Sequence, residues 1–241
     1  MKRGIASNIS FRGAGPVVRV IEVFRSLQGE SSRAGFPSLF IRLAGCNLNC
    51  VYCDTAYARE GGRDVPIRDL LKTAERCRGI DHITVTGGEP LLQENAIALM
   101  DALTGRGFSL RLETNGSLPI ARVPEAVRKI VDVKTPSSGQ AGSFLMDNLS
   151  WIGPGDEIKF VIGNRIDYTY SRRFIKKFLD KTDCIVNFSP VYGAVSPGDL
   201  AEWILRDRLT VRLNMQLHRI LWPGDEPKTY RGNDGLCWTC D

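Results

Sequence analysis

Three cysteines in one short loop constrain this chain more than any other feature. The segment "GCNLNCVYCDT" (45–55) places Cys46, Cys50 and Cys53 at C-x-x-x-C-x-x-C spacing. The 241 residues contain seven cysteines, an odd number, and the N-terminus lacks the apolar core of an export signal. Metal or redox chemistry therefore explains these cysteines better than a disulfide framework, and we expect a cytoplasmic protein.

The spacing of the loop favours an iron–sulfur cluster with one open position. Three thiolates can hold three irons of a cubane, whereas electron-transfer ferredoxins normally supply four cysteines. The open iron would be a Lewis-acidic position for a small molecule. Zinc is the alternative, because Cys50 and Cys53 could form a four-sulfur site with the tail pair Cys237 and Cys240. The zinc interpretation leaves Cys46 without a role.

Composition limits the partners. The chain is 43% hydrophobic and 24% charged, as in an ordinary globular protein. No apolar run approaches the roughly 20 residues of a membrane-spanning helix, so we expect no membrane partner. The net charge of +5 is spread along the chain, and without a clustered basic face we expect no nucleic-acid partner.

Apolar runs that alternate with amphipathic stretches predict an α/β fold. Apolar residues at helical spacing predict helices near 67–77, 91–103 and 166–179. The alternation predicts parallel strands with outer helices, in a sheet that is open or curled into a barrel. The predicted strands are 17–24, 38–45, 82–87, 108–114, 129–134, 157–162, 184–190 and 209–217. We expect one domain at 17–223, a flexible leader at 1–16 and a C-terminal tail at 224–241.

Polar loops follow five of the predicted strands. In parallel α/β folds the chemistry collects at the carboxyl ends of the strands. We therefore expect these loops to outline one site. They are the cysteine loop, "TGGEP" (86–90), "ETNG" (113–116), "KTPSSG" (134–139) and "SPVYG" (189–193).

The cysteine loop and the Gly-Gly-Glu-Pro segment together resemble the radical S-adenosylmethionine (SAM) superfamily. The glycines of "TGGEP" would let the backbone approach a ligand closely, although this segment could also be a turn before a helix. The resemblance implies a [4Fe-4S] cluster on Cys46, Cys50 and Cys53, with SAM chelating the open iron. It also implies one-electron cleavage of SAM to a 5′-deoxyadenosyl radical.

Further segments resemble the 7-carboxy-7-deazaguanine synthase family over about residues 17–223. These segments are "SLQGES", "FIRLAGCNLNC", "CDTAYA", "TGGEPLLQ", "LETNGS", "DVKTPSSG", "DEIKFVI" and "QLHRILWP". The resemblance implies a shortened barrel in a homodimer, a pterin substrate, Mg²⁺ and an electron donor of the flavodoxin or ferredoxin type. It implies conversion of 6-carboxy-5,6,7,8-tetrahydropterin to 7-carboxy-7-deazaguanine with loss of ammonia, in the biosynthesis of queuosine or other 7-deazapurines.

The same resemblance implies roles for individual residues. Thr55 matches the Mg²⁺ position. The residues that match substrate positions are Leu27, Gln28, Gly29, Glu30, Arg42 and Thr86. Those that match SAM positions are Tyr52, Cys53, Asp54, Gly88, Glu89, Asp132, Val133, Lys134, Ser189, Pro190, Val191 and Tyr192. The SAM loop reads Ser-Pro-Lys in other members, so only Lys134 of residues 132–134 is retained here.

Each assignment has an alternative. Tyr52 could pack within its loop, "SLQGE" could be a polar turn, Arg42 could form a surface ion pair, and Asp54–Thr55 could be a turn or a helix cap. For the whole chain, the alternatives are a glycyl-radical activase and a non-catalytic iron–sulfur or zinc module. His82 and His218 show no ligand spacing and are expected to be structural.

Overall fold

The computed structural model describes residues 15–77, 79–180 and 182–222. Most of the predicted leader and all of the predicted tail lie outside these residues. Cys237 and Cys240, on which the zinc alternative depends, lie outside them as well. The division into leader, domain and tail therefore stays a prediction.

Nine strands and five α-helices form the described part of the chain. The strands are β1 (Val17–Leu27), β2 (Pro37–Leu43), β3 (Arg63–Pro66), β4 (His82–Gly87), β5 (Ser109–Thr114), β6 (Arg128–Asp132), β7 (Glu157–Ile162), β8 (Ile185–Pro190) and β9 (Arg212–Leu213). The helices are α1 (Ile67–Arg76), α2 (Asn95–Thr104), α3 (Arg165–Phe174), α4 (Pro197–Arg206) and α5 (Leu217–Leu221).

The strands form one sheet in the order β3-β1-β2-β4-β5-β6-β7-β8-β9. From β2 through β4 to β9 all neighbours are parallel, and no pairing in the described residues joins β9 to β3, so the barrel is partial. This confirms the predicted α/β partial barrel. Strand β1 differs, because it runs antiparallel to both β2 and β3. The connection 28–36 is too short for the helical crossover that a parallel pair requires.

The two faces of the sheet carry different chemistry because side chains alternate along a strand. The apolar residues of each strand, such as Leu39 and Ile41 in β2 and Ile158 and Phe160 in β7, belong to the main core under the helices. Their polar neighbours point to the other face, which the barrel curls around. The interior of the barrel is therefore a mixed surface, in which polar and charged side chains lie beside a few apolar ones.

The helices agree in part with the predicted ones. Helix α1 buries Ile67, Leu70, Leu71 and Ala74 on its predicted face. The predicted helix at 91–103 is a short 3₁₀ turn followed by α2, and that at 166–179 is α3 continued by a π-helical turn at Ile175–Leu179. No helix in the described ranges has the length and apolar character needed to span a bilayer.

Two elements near the C-terminal end of the described chain differ from the prediction. Helix α4 was not predicted, although Ser196 caps it by accepting a hydrogen bond from Asp199 N at 3.2 Å and Pro197 occupies its first turn. The predicted strand at 209–217 is reduced to the two residues of β9. Directly after β9, the buried side chain of Asn214 accepts a hydrogen bond from Ser31 N and donates one to Ser189 Oγ.

Candidate active site

A cavity of about 850 Å³ opens inside the partial barrel. This volume lies in the upper part of the range of about 300–1,000 Å³ for small-molecule sites. The structure brings most of the predicted site residues to its wall. They are Leu27, Gln28, Gly29, Glu30, Arg42, Cys46, Cys50, Cys53, Asp54, Thr55, Thr86, Gly88, Asp132 and Lys134.

The cavity is built from both ends of the barrel. The cysteine loop follows β2, and the Gly-Gly segment follows β4, so both lie at the carboxyl edge of the parallel strands. The segment 27–30 follows the antiparallel β1, and Leu27 pairs with Pro37 at the opposite end of β2. The predicted substrate segment 27–30 therefore enters from the opposite end of the barrel, whereas the substrate residues Arg42 and Thr86 pair with each other next to the carboxyl edge.

The cysteine loop carries three thiols on the cavity wall. Cys46 and Cys50 are half-buried, Cys53 is exposed, and Asn115 Nδ2 lies 3.9 Å from Cys46 Sγ. Burial raises the pKa of the Cys50 thiol, the Lys134 ammonium opposes this, and the neighbouring Cys53 and Cys46 add to the increase. Three thiolates at this position would repel one another, so the site favours the bound state in which metal ions compensate their charge.

The donor set fits a cubane cluster better than a single ion. Within the described ranges, no three Cys, His, Asp or Glu side chains converge closely enough to hold one metal ion. A cubane does not require such convergence, because each thiolate binds a different iron at a different corner. The loop can therefore hold three irons and leave the fourth facing the cavity.

Two glycines allow the Gly-Gly segment to lie against the cysteine loop. A Cβ on Gly88 would lie 2.3 Å from Gly45 O and 2.7 Å from Cys46 Cβ. Gly87 has a φ of 158°, and a Cβ there would lie 2.3 Å from Leu43 O. Because these neighbours are backbone or short side-chain atoms, neither position accepts a side chain without displacement of the loop.

We expect Gly88→Ala to displace the cysteine loop and reduce cluster loading. Overpacking of this kind costs about 1–3 kcal/mol, so we expect SAM cleavage to fall by about tenfold or more. Iron per chain and the rate of 5′-deoxyadenosine formation measure the effect. Gly153→Ala is the matched control, because a Cβ there meets nothing within 4 Å. Equal iron content and equal rates in both variants would contradict the tight-contact explanation.

A chain of alternating charges crosses the cavity floor. Lys134 Nζ lies 2.6 Å from Asp132 Oδ2, Lys159 Nζ lies 3.3 Å from Asp132 Oδ1, and Lys159 Nζ lies 3.1 Å from Glu30 Oε2. Burial alone would raise the pKa of Asp132, but Lys134 and Lys159 lower it below its usual value. Burial opposes the charge of Lys159, yet Asp132, Glu30 and Glu113 raise its pKa well above the usual value. Asp132, Lys134 and Lys159 are therefore charged at neutral pH.

We expect Asp132→Asn to destabilise the fold by about 3 kcal/mol, because it leaves two largely buried ammonium groups without their shared carboxylate. The pKa of Asp132 is lowered, so its stabilisation is present above the unfolded value of about 3.9 and is lost as the pH falls through the folded value. Anaerobic chemical denaturation at neutral pH measures the loss. Asp69→Asn, which breaks more exposed pairs with Arg68 and Lys72, should cost less than about 1 kcal/mol. Similar losses in both variants would contradict this prediction.

A second polar group surrounds Glu113. Its carboxylate accepts a hydrogen bond from Thr86 Oγ1 at 2.8 Å and one from Gln28 Nε2 at 3.3 Å. Burial raises the pKa of Glu113, while Lys159 lowers it and Glu30 raises it. Glu113 can therefore hold or exchange a proton at a pH where an exposed glutamate could not.

Arg42 presents a guanidinium to the cavity from β2. Its Nε donates to Glu22 Oε1 at 2.8 Å, and the Tyr57 hydroxyl donates to the same oxygen at 2.7 Å. In the part of the chain that the structure describes, neither terminal nitrogen of Arg42 donates a hydrogen bond to a protein acceptor. Arg42 therefore forms an ion pair, but a largely buried one and not the surface pair of the alternative, and the side chain still lines the cavity.

Several predicted SAM residues do not line the cavity. Val133 packs in the hydrophobic core, and the Tyr52 hydroxyl lies 3.2 Å from Thr135 Oγ1 behind the cysteine loop. Ser189 is buried and accepts a hydrogen bond from Asn214 at 2.8 Å. Ser189 and the three residues that follow it, Pro190, Val191 and Tyr192, do not line the cavity.

Glu89 is fully buried, and its carboxylate is occupied by the protein. It accepts hydrogen bonds from Asn115 N at 2.6 Å, Thr114 Oγ1 at 2.9 Å and Leu91 N at 3.0 Å. The carboxylate therefore ties the loop after β4 to the loop after β5 and is not accessible to an ammonium ligand in this arrangement. This differs from the predicted contact with SAM.

Other cavity residues were not assigned to the site from the sequence. Glu22, Tyr57 and Lys159 line the wall, and so does His218, which was expected to be structural. The signal for Glu22 and Lys159 was a charged residue alternating with apolar ones in "VIEVF" and "EIKFVI". His218 Nδ1 would be 2.7 Å from a Cβ on Gly29, so the glycine makes room for the imidazole beside the segment 27–30.

Comparisons with known proteins agree with this geometry. The model of the radical SAM superfamily matches residues 40–204. Over 219 residues the chain is 42% identical to the 7-carboxy-7-deazaguanine synthase of Koribacter versatilis, covering 85% of this chain and 97% of the relative. The chain is also 42% identical to the synthase of Chlorobaculum tepidum, covering 86% of this chain and 96% of the relative.

Solved structures give the same result. The crystal structure of QueE from Escherichia coli superposes with a TM-score of 0.71 at 25% identity, covering 84% of this chain and 95% of that chain. Streptococcus suis SuiB bound to S-adenosylmethionine, at 14% identity and a TM-score of 0.51, shares the fold; the match covers 76% of this chain and 51% of that chain. With an open three-cysteine loop on the rim of a partial barrel and near full-length relatives, the chain belongs to the 7-carboxy-7-deazaguanine synthase family of the radical SAM superfamily.

Proposed function

We propose that this enzyme is a lyase that converts 6-carboxy-5,6,7,8-tetrahydropterin to 7-carboxy-7-deazaguanine with loss of ammonia, in 7-deazapurine biosynthesis. The observation that carries the proposal is that three cysteines and Arg42, whose terminal nitrogens have no acceptor among the described residues, line the same cavity. The chain is 42% identical to two synthases of this name over nearly their full length, which supports the same substrate and product. As a radical SAM enzyme it acts on a small molecule and takes an electron from a reductant.

The polar interior of the barrel supports the binding of a pterin. Its ring carries several donors and acceptors, and the segment 27–30 offers backbone groups, the Gln28 amide and the Glu30 carboxylate. Thr86 and Glu113 add a hydroxyl and a carboxyl whose raised pKa suits proton exchange with a ring nitrogen. The terminal nitrogens of Arg42 suit the 6-carboxylate of the substrate, because a guanidinium fork binds a carboxylate through two parallel hydrogen bonds.

Cys46, Cys50 and Cys53 would hold the [4Fe-4S] cluster, and SAM would bind between this loop and the Gly-Gly segment. When bound, the cluster and SAM supply a carbon-centred radical for hydrogen abstraction from the substrate. Asp54, Gly88 and Lys134 line the same end of the cavity. The predicted roles of Tyr52, Glu89, Val133 and residues 189–192 need rearrangement or backbone contacts.

Thr55 would hold Mg²⁺ through its hydroxyl oxygen. The hydroxyl donates to Asp54 Oδ1 at 2.8 Å, which leaves oxygen lone pairs directed away from the carboxylate. A hard cation with one protein ligand completes its octahedron with water and substrate oxygens. This arrangement suits an ion that arrives with the substrate and orients its carboxylate.

We further propose an oligomeric state, a cellular location and an electron donor for this enzyme. The enzyme would work as a homodimer in the cytoplasm, with an electron donor of the flavodoxin or ferredoxin type. Charge offers one support for the choice of donor, because small acidic carriers would be attracted to a chain of net charge +5. Sedimentation of the reconstituted enzyme and reduction by each donor would measure these properties.

The experiment is anaerobic reconstitution followed by incubation with SAM, Mg²⁺, a reductant and carboxytetrahydropterin. We expect 7-carboxy-7-deazaguanine, identified by mass spectrometry, and one equivalent of ammonia. Cleavage of SAM without ring contraction would retain the superfamily chemistry and contradict the substrate. A glycyl radical formed on a partner protein would support the activase alternative, and no SAM cleavage would support a non-catalytic module.

A further inference from the structure

The guanidinium of Arg42 is held on three sides. Glu22 Oε1 accepts from its Nε at 2.8 Å, and the guanidinium carbon lies 5.8 Å from the Phe24 ring centre and 5.9 Å from that of Tyr57. Phe24 is stacked on Phe40 with ring centres 4.9 Å apart, which fixes this wall of the cavity. The side chains of Arg42 and Glu22 are 15% and 7% exposed, so the pair is largely protected from water.

One carboxylate oxygen connects this arginine to the cysteine loop. Tyr57 lies in the 3₁₀ turn Ala56–Arg59 that directly follows Thr55, and its hydroxyl donates to the oxygen that accepts from Arg42. Glu22 comes from the middle of β1, where it pairs with Arg42 of β2. Three separate chain segments therefore meet at Glu22 Oε1.

In this geometry the N–H donors of the guanidinium have two different tasks. Glu22 occupies Nε and leaves both terminal nitrogens for a ligand, and a carboxylate binds most strongly to a pair of parallel N–H donors. Without this restraint the side chain could rotate, and its long stem would lose more conformational entropy when a ligand binds. We propose that Glu22 and Tyr57 are positioning residues that fix Arg42 so that its two terminal nitrogens receive the carboxylate of the substrate. The inference rests on the proposed function.

Substitutions can separate two properties of Glu22, namely the position of its acceptor oxygen and its negative charge. Glu22→Gln keeps an acceptor oxygen for Nε and for the Tyr57 hydroxyl but removes the negative charge. Glu22→Ala removes both. If positioning is the role of Glu22, the glutamine variant retains most of the affinity. If the carboxylate only competes with the substrate for Arg42, both variants bind the substrate more tightly than the wild type.

The test is calorimetric binding to the reconstituted enzyme with SAM and without reductant, so that no turnover occurs. The two ligands are carboxytetrahydropterin and the tetrahydropterin that lacks the 6-carboxylate. We expect Glu22→Ala to raise the dissociation constant of the carboxylated ligand by about tenfold and Tyr57→Phe by about threefold. Glu22→Gln should stay within about threefold of the wild type. The ligand without the carboxylate should bind all four proteins equally.

The controls separate this inference from misfolding and from the proposed function. Glu202→Gln and Tyr170→Phe on α4 and α3 repeat the chemical changes away from the cavity and should bind both ligands as the wild type does. Unchanged or tighter binding of the carboxylated ligand by Glu22→Ala overturns the inference while the proposed function stands. Equal weakening of both ligands also overturns it, because the effect then lies outside the carboxylate. A wild type that binds neither ligand overturns both proposals.

Discussion

We expect Cys50→Ala to abolish the cluster absorbance and all cleavage of SAM in the reconstituted enzyme. Cys50 is the middle cysteine of the loop, and its thiol is close enough to both Cys46 and Cys53 for their charges to raise its pKa. With only two thiolates left, a cubane would have two irons without protein ligands. Iron content, visible absorbance and 5′-deoxyadenosine formation measure the loss.

A matched control distinguishes cluster loss from a general effect of removing a thiol. Cys184 is half-buried before β8 and does not line the cavity. Burial raises the pKa of its thiol, as it does for Cys50, so the two variants remove thiols in similarly buried positions. Cys184→Ala should retain full iron content and activity. If Cys50→Ala also retained its cluster, the three-cysteine assignment would be wrong.

We expect Arg42→Ala to raise the Michaelis constant for carboxytetrahydropterin by about 10²-fold. Hydrogen bonds from a charged donor contribute about 1.5–3 kcal/mol, and a loss of about 3 kcal/mol corresponds to a factor of about 10². Arg42→Lys should recover little, because an ammonium cannot present two parallel donors. Steady-state kinetics with varied substrate and saturating SAM measure the change.

The control for Arg42 is an arginine whose ion pair lies away from the cavity. Arg106 pairs with Glu75 at 2.6 Å and is partly exposed. Arg106→Ala should leave the Michaelis constant unchanged. An equal constant in Arg42→Ala would remove this residue from substrate binding, and a large fall in kcat alone would assign it to the transition state instead.

Much of the fold is contained in local patterns. The predicted strands 82–87 and 157–162 match β4 and β7, and apolar residues at helical spacing predicted α1. These elements are long or strongly periodic, so local sequence determines them. Strand β3 and helix α4 were not predicted. Strand β3 is only Arg63–Pro66 and depends on pairing with β1, which no local pattern encodes.

The site was predicted where its residues are close in sequence. The cysteine loop and the Gly-Gly segment are contiguous motifs, and both reached the cavity wall. The contacts that organise the interior join distant residues, such as Glu30 with Lys159 and Glu22 with Tyr57. Their meeting depends on the antiparallel direction of β1, which brings the segment 27–30 to the far end of the cavity.

Glu89 illustrates the limit of motif reasoning. Within "TGGEP" its carboxylate had the right chemistry for an ammonium ligand, but Thr114, the last residue of β5, and Asn115, directly after it, already satisfy it. A buried carboxylate costs free energy unless it is hydrogen-bonded, and three protein donors compensate that cost here. The sequence contains no local sign of these partners, because they lie on the neighbouring strand.

The most direct measurement of the central claim is electron–nuclear double resonance on the reduced, reconstituted enzyme with SAM labelled by ¹⁵N and ¹⁷O in its methionine part. The account predicts hyperfine coupling of both labels to the cluster, since one iron lacks a protein ligand and accepts the amino and carboxylate groups. Absence of both couplings, together with a fourth protein donor on the cluster, would contradict it.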